Sequence, residues 1–197
     1  MARGAEALQW CGVWPAELPV ISRPPIVLRA FSDADIGLVQ SVAPDALIPL
    51  ITTVPASGNP DDARAYIDRQ LSRHVTGAGY SFAIADAATG DAVGQVGLWL
   101  KDLPHGRAST GYWVAGQFRR RGYVTAALAA ISRWGLSLDG IHRIELYVEP
   151  WNEGSWRAAE RAGYRREGLL RSWQWVGQER RDMYMYSLLL EDLHNSG

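Results

Sequence analysis

Three arginines, Arg119, Arg120 and Arg121, run directly into Gly122, and an apolar pattern of helical spacing follows. Arginine at a helix start faces backbone N–H groups that already carry partial positive charge, a repulsion of a few tenths up to ~1 kcal/mol. An anion between them reverses the sign. The N–H groups from Arg119 to Thr125 would converge on it, the helix dipole would add to them, and a polyphosphate would convert repulsion into charge-assisted bonding. Gly122 leaves no Cβ between ligand and backbone. The stretch Arg119, Arg120, Arg121, Gly122, Tyr123, Val124 and Thr125 is therefore a candidate polyphosphate cradle, set against the plain alternative of a solvated charged turn.

The familiar phosphate and hydrolase strings are absent. There is no GxxxxGK[ST], GAGYSF lacks the third glycine of a dinucleotide fingerprint, and neither HExxH nor GxSxG occurs. The four histidines, 74, 105, 142 and 194, are scattered, so no metal site is expected. A net charge of −1 excludes a generally basic nucleic-acid binder, and any basic function is local. The single cysteine, Cys11, permits no intrachain disulfide and fits a reducing, cytoplasmic setting. The first twenty residues lack a signal-like apolar run, and no stretch of about 20 apolar residues predicts a membrane span.

The elements that must position this cradle are legible from period and punctuation. Residues 1–25 read as an extension in which Pro24-Pro25 favours extended chain and Trp10, Trp14 and Leu18 are docking candidates. Residues 26–192 read as one domain, followed by a tail over 193–197. Ile26–Phe31 predicts a strand, and Ser32 caps a helix broken near Pro44. Asn59-Pro60-Asp61-Asp62 opens a second helix with Ala63, Tyr66, Ile67, Leu71 and Val75 on its apolar face. YSFAIAD and AVGQVGLWL form a hairpin about AATGD, and RASTGYWVAG follows as a strand. The helix after the arginines buries Val124, Ala127, Leu128, Ile131, Trp134 and Leu138. Then come the strand HRIELYVEP, a short helix ending at Gly163, and the strands YRREGLLRSWQWV and RDMYMYSLLLEDL. This is an α+β pattern.

RRRGYVTAAL resembles the acetyl-CoA-binding motif of the GNAT acetyltransferases, Gln/Arg-x-x-Gly-x-Gly/Ala, with Arg119, Gly122 and Val124 at its three defined positions. Val124 stands where the pattern has a small residue, which narrows the room above the pyrophosphate. IHRIELYVEPWNEGSWRAAERAGYRREG resembles the RimJ/RimL-type subgroup, with Asn152, Ser155, Gly163, Tyr164, Glu167 and Gly168 matching in order. IVLRAFSDADI, TGDAVGQVGL, TGYWV and RDMYMYSLLLEDL resemble that subgroup's opening, central hairpin, fourth strand and final strand.

The resemblance implies a GNAT fold: a twisted, mixed but mostly antiparallel sheet of six to seven strands with about four helices. It implies acetyl transfer from acetyl-CoA directly to a primary amine, with no metal. The acceptor is expected to be a protein N-terminal α-amine, or alternatively a small molecule such as an antibiotic or polyamine. A CoA-binding module without catalysis is the reading from another class. No nucleic acid or membrane partner is implied, and the chain is expected to be a monomer or homodimer. By the same resemblance the pantetheine arm enters where the strands ending at Ala115 and Glu149 splay, and a main-chain N–H near Val114 forms an oxyanion hole. Asn152 caps a helix and contacts the pantetheine. Ser155 lies near the cofactor sulfur and donates to the departing thiolate. Glu145, Tyr147 and Glu149 share a strand face. Glu149 is the candidate base if that face meets the acceptor, with Asp182 and Glu167 as weaker candidates. Trp151, Trp156, Trp173 and Trp175 are expected to pack in the core, with walls of an acceptor pocket as the alternative.

Overall fold

Chain reversal at Asp86–Asp91 and at Leu100–Gly106 folds the middle of the sequence into an antiparallel meander, and everything else is hung on it. The computed structural model describes Pro15 and residues 17–194, so Trp10, Cys11 and Trp14 lie outside the described residues. The strands are β1 (Ile21–Arg23), β2 (Ile26–Arg29), β3 (Gly79–Asp86), β4 (Ala92–Trp99), β5 (Arg107–Val114), β6 (Arg143–Val148), β7 (Arg165–Val176) and β8 (Glu179–Leu189). They form one sheet in the order β1-β2-β3-β4-β5-β6-β8-β7. Every neighbouring pair is antiparallel except β5 with β6.

The helices are α1 (Ile36–Ser41), α2 (Ile48–Ile51), α3 (Pro60–Ser72), α4 (Tyr123–Gly135), α5 (Glu153–Arg161) and α6 (Leu190–His194). Among the described residues none is long and apolar enough to cross a membrane. Two apolar layers sandwich the sheet. Helix α4 packs Ala127, Leu128 and Ile131 against Leu28, Phe82 and Leu98, while Tyr66, Ile67 and Val39 from α1 and α3 pack with Ala83 and Trp113. Leu128 and Ile131 are fully buried, and each such side chain contributes about 1.5–3 kcal/mol by leaving water.

The sequence anticipates the local starts well. The Asn59 side chain accepts from Asp61 N at 2.7 Å, with Pro60 as the first helical residue. Asp35 takes the Ser32 N–H at 2.9 Å, and Arg29 clamps the same buried carboxylate with two bonds of 2.8 and 2.9 Å. The differences have physical causes. The sheet has eight strands among the described residues, because Pro24-Pro25, joined by a cis peptide, makes a turn rather than extended chain, and Ile21–Arg23 returns alongside β2. Helix α3 ends at Ser72, which leaves Val75 outside it and 78% exposed; the buried face instead includes the polar Gln70. Helices α2 and α6 replace loop and strand, because a four-residue and a five-residue helix show too few turns for a period to register.

Candidate active site

Helix α4 starts behind Gly122, whose φ of 80° is left-handed, and Arg120 before it has φ 64°. Among the described residues no side chain caps this helix, which leaves its first N–H groups to a ligand. A Cβ built on Gly122 would meet no atom within 4 Å, so the glycine is not avoiding the protein; it faces empty space. The arginines divide. Arg119 is tied inward, with Nη2 on Asp45 at 2.7 Å and Nε donating to the Val114 carbonyl at 3.2 Å. Arg120 and Arg121 are exposed beside the turn. Tyr123 is buried and its hydroxyl donates to Asp86, while Val124 is partly buried and packs against the core.

Strand β5 leads from the sheet to this turn. Its parallel pairing with β6 covers only Arg107↔Arg143, Ala108↔Ile144 and Ser109↔Glu145. Beyond that the two strands part, and their facing main-chain edges are unpaired with each other from Thr110 and Leu146 onward. Ala115 N donates to Val93 O on the β4 side at 3.0 Å. Backbone groups alternate sides along a strand, so the Val114 N–H points the other way, into the gap. A cavity of about 310 Å³ runs through this gap. On the α5 face it is lined by Tyr112, Leu146, Asn152 and Ser155, and on the α3 face by Gln70, Arg73, Gln95, Trp99, Tyr147 and Glu149.

Asn152 is the N-cap of α5, accepting from Ser155 N at 3.2 Å, so the cap fixes Ser155 in the first turn. Ser155 Oγ lies 2.6 Å from the Tyr112 hydroxyl, which also donates to the Ser155 carbonyl at 3.1 Å. Burial pushes Tyr112 up to about 12, against the opposing effect of the Ser155 bond, so the phenol keeps its proton at neutral pH. Sequence reading missed Tyr112. Its signal was available: it sits in TGYWV two residues before Val114, and so shares the sheet face of Val114.

The three residues that alternate along β6 and just past its end have different fates. Glu145 is 2% exposed and fully engaged, by Arg143 Nε at 2.9 Å, Arg107 Nη1 at 3.5 Å and the Tyr147 hydroxyl at 2.7 Å. Glu149 is 9% exposed, lines the cavity, and among the described residues its carboxylate has only Arg181 Nε, at 3.7 Å. The candidate base is thus the carboxylate left accessible. Asp182 instead receives Ser172 N at 2.7 Å and holds an irregular stretch of β7. Glu167 pairs with Arg143 and takes the Ser187 hydroxyl at 2.6 Å, and these bonds hold it at about 2, below its usual 4.5. A depressed carboxylate stabilises the fold above its unfolded value and loses that contribution as pH falls through the folded one. The expected result is that Glu167→Gln lowers Tm at pH 7, and that its difference from wild type shrinks between pH 4.5 and about 2 in thermal melts.

The tryptophans correct an expectation. Trp151, Trp173 and Trp175 are 60%, 47% and 64% exposed, and only Trp156 packs against the core. The first lies in the β6–α5 connection and the other two on the edge strand β7, which has no sheet neighbour on its far side to bury them. Trp173 stacks on Tyr147 at 5.6 Å, and Gln174 beside it reaches the cavity. Two further segments meet at the cavity: Ile51, Thr52 and Thr53 line it, and a Cβ on Gly177 in the β7–β8 turn would lie 3.0 Å from Leu50.

Residues 26–165 match the acetyltransferase (GNAT) domain family. The chain belongs to the GNAT acetyltransferases. Its relatives include the uncharacterized N-acetyltransferase p20 of Bacillus licheniformis, 30% identical over 127 residues that make up 64% of this GNAT chain and 71% of p20. Among solved structures it resembles Mycobacterium smegmatis RimJ in complex with CoA-disulfide, with TM-score 0.73, 25% identity, and coverage of 91% of this chain and 90% of RimJ. The RimL ribosomal L7/L12 α-N-protein acetyltransferase, in complex with coenzyme A, superposes with TM-score 0.75 at 17% identity over 88% of this chain and 99% of RimL. The mixed, mostly antiparallel sheet is the kind the resemblance implies, with eight strands among the described residues in place of six to seven and a gap between the two parallel strands.

Proposed function

We propose that this GNAT N-acetyltransferase moves the acetyl group of acetyl-CoA directly onto the N-terminal α-amine of a protein. The observation that carries the reading is the gap between β5 and β6, with the Val114 N–H on its β5 edge and the Ser155–Tyr112 pair lining its α5 face. Acetyl-CoA fits what the chain offers. The uncapped start of α4 and the open space at Gly122 suit a diphosphate, with Arg120 and Arg121 beside it, and the unpaired edges of β5 and β6 suit the amides of a pantetheine arm. Arg119 acts by bracing the turn against Asp45. Asn152 orients the helix that presents Ser155.

Acetyl-CoA supplies an activated thioester; the side chains manage protons and charge. The acceptor nitrogen attacks the carbonyl carbon from the α3 face and passes its proton to Glu149, directly or through a water. The carbonyl oxygen gains charge and is met by the Val114 N–H; one such donor is worth about 2.7–4 kcal/mol. The carbon–sulfur bond breaks, and Ser155 Oγ gives its proton to the sulfur while Tyr112 replaces it across their 2.6 Å contact; Tyr112 takes a proton back from solvent, and Glu149 sheds to solvent the one it took from the amine. The products are an amide and a free thiol. A protein acceptor is supported by the likeness to RimJ and to RimL, whose own substrate is a protein α-amine.

Thiol release from acetyl-CoA, followed over a panel of peptides with free N-termini and small amines, tests this. Peptides are expected to be the better acceptors; turnover confined to small amines contradicts the acceptor class, and none with any amine contradicts catalysis. For Tyr112→Phe the expected outcome is a fall in kcat of about 3- to 30-fold with little change in KM for acetyl-CoA, since a relay partner is removed and Ser155 remains. Steady-state kinetics decide it.

A further inference from the structure

Arg73 has no part in the proton transfers above, yet it is built into the same cavity. It follows the last helical residue of α3, and its guanidinium lies 4.5 Å from the centroid of Trp99. Its Nε donates to Gln70 Oε1 at 2.8 Å. Gln70 is 1% exposed and also accepts from the Ser81 hydroxyl at 3.1 Å, and Ser81 accepts from Gln95 Nε2 at 3.0 Å. A buried polar chain crossing from α3 to β3 and β4 thus fixes one end of the guanidinium.

Trp99 is fixed as firmly. Gly97 and Gly111 pair across β4 and β5. A Cβ on Gly97 would fall 2.2 Å from Trp99 Cζ2, and one on Gly111 would lie 3.5 Å from Nε1. The indole lies flat on a floor that two side-chain-free residues provide, and Arg73 lies against it. Such stacking holds an arginine while leaving its outer N–H fork available.

Among the described residues no carboxylate pairs with Arg73, whereas Arg29, Arg119, Arg143 and Arg165 each have at least one. Arg69, a second cation, also acts on it, and its Nη2 donates to Thr53 O at 3.2 Å on the cavity wall. Burial pulls Arg73 below the usual arginine value, with Tyr66 opposing it and Arg69 adding to it, the reverse of Arg29 and Arg143. A half-buried cation held without a counter-charge costs stability, and an incoming anion removes that cost.

We propose that the acceptor amine of this enzyme carries a carboxylate, and that Arg73, backed by Trp99, receives it while the amine lies at Glu149. The inference rests on the acetyl-transfer reading of the cavity. The carboxylate has two sources, an aspartate or glutamate side chain near a peptide N-terminus, or the α-carboxylate of a free amino acid.

The test compares two acceptor pairs, Ser-Asp-Ala amide against Ser-Asn-Ala amide, and serine against serinamide. The charged member of one pair is expected to have kcat/KM about 10- to 100-fold higher, carried by KM, as for one charge-assisted hydrogen-bonded pair. The responding pair names the source. In Arg73→Gln that preference ratio is expected to fall to near one, while Arg73→Lys, which keeps the charge, retains part of it; melts check that both variants fold. Equal kcat/KM within both pairs, or a preference that survives in Arg73→Gln, overturns the proposal. Calorimetric binding of the acetylated products, Ac-Ser-Asp-Ala amide, Ac-Ser-Asn-Ala amide, N-acetylserine and N-acetylserinamide, needs no turnover. Tighter charged-product binding within one pair that Arg73→Gln abolishes supports the anion site even if no amine is acetylated, which would sink only the acetyl-transfer reading. Indifference to charge in both pairs overturns the anion site itself.

Discussion

Ser155→Ala is expected to slow acetyl transfer by about 100-fold or more while leaving acetyl-CoA affinity within about threefold, since a proton donor contributes about 10²–10⁴ to the chemical step and little to ground-state binding. The substitution isolates chemistry from structure unusually well. The bond that anchors the first turn of α5 runs from Ser155 N to Asn152 Oδ1, and alanine keeps that N–H. What is lost is Oγ, the atom 2.6 Å from Tyr112. The Tyr112 phenol, held up at about 12 by burial, is a poor direct replacement, because it is also bonded to the Ser155 carbonyl. Single-turnover thiol release and calorimetry with acetyl-CoA separate the two quantities. An unchanged kcat removes Ser155 from the mechanism; a matching loss of affinity makes it a binding residue only.

Gly122→Val is expected to weaken acetyl-CoA binding by about 10- to 100-fold, from a left-handed backbone cost of about 1–2 kcal/mol and a side chain placed where the diphosphate belongs. The φ of 80° is the strain, and the empty volume around a built Cβ shows that no protein atom would be displaced. Gly122→Ala, smaller and unbranched, is expected to fall between wild type and valine. Calorimetry reads the affinity, and melting curves report whether α4 still forms. A valine variant that melts lower but binds acetyl-CoA normally would show that the glycine serves only the turn.

Local chemistry was legible in the sequence and long-range chemistry was not. Gly122, the Asn152 cap and the alternation of Glu145, Tyr147 and Glu149 obey rules that act over a few residues, and the structure places them accordingly. The parallel pairing that creates the gap came through the family resemblance, since nothing in RASTGYWV or HRIELYVE says the two strands are partners. The Tyr112–Ser155 contact joins residues 43 apart, and the Arg119–Asp45 pair joins residues 74 apart. Such partners are set by how the layers stack. Charge identity is likewise silent about fate: Glu145 and Glu149 look alike in the sequence, and the neighbouring Arg107, Arg143 and Tyr147 consume the first. The tryptophans misled for a related reason. Hydrophobicity implies burial only where a neighbour exists to provide it, and β7 is an edge.

The central claim is that the turn at Gly122 holds the diphosphate of acetyl-CoA while its thioester lies in the gap between β5 and β6. A crystal structure of the complex measures this directly. The expected result is phosphate oxygens within hydrogen-bond distance of the main-chain N–H groups at the start of α4, the thioester carbonyl on the Val114 N–H, and the sulfur beside Ser155 Oγ. A diphosphate bound away from that turn, or a thioester outside the gap, would contradict it.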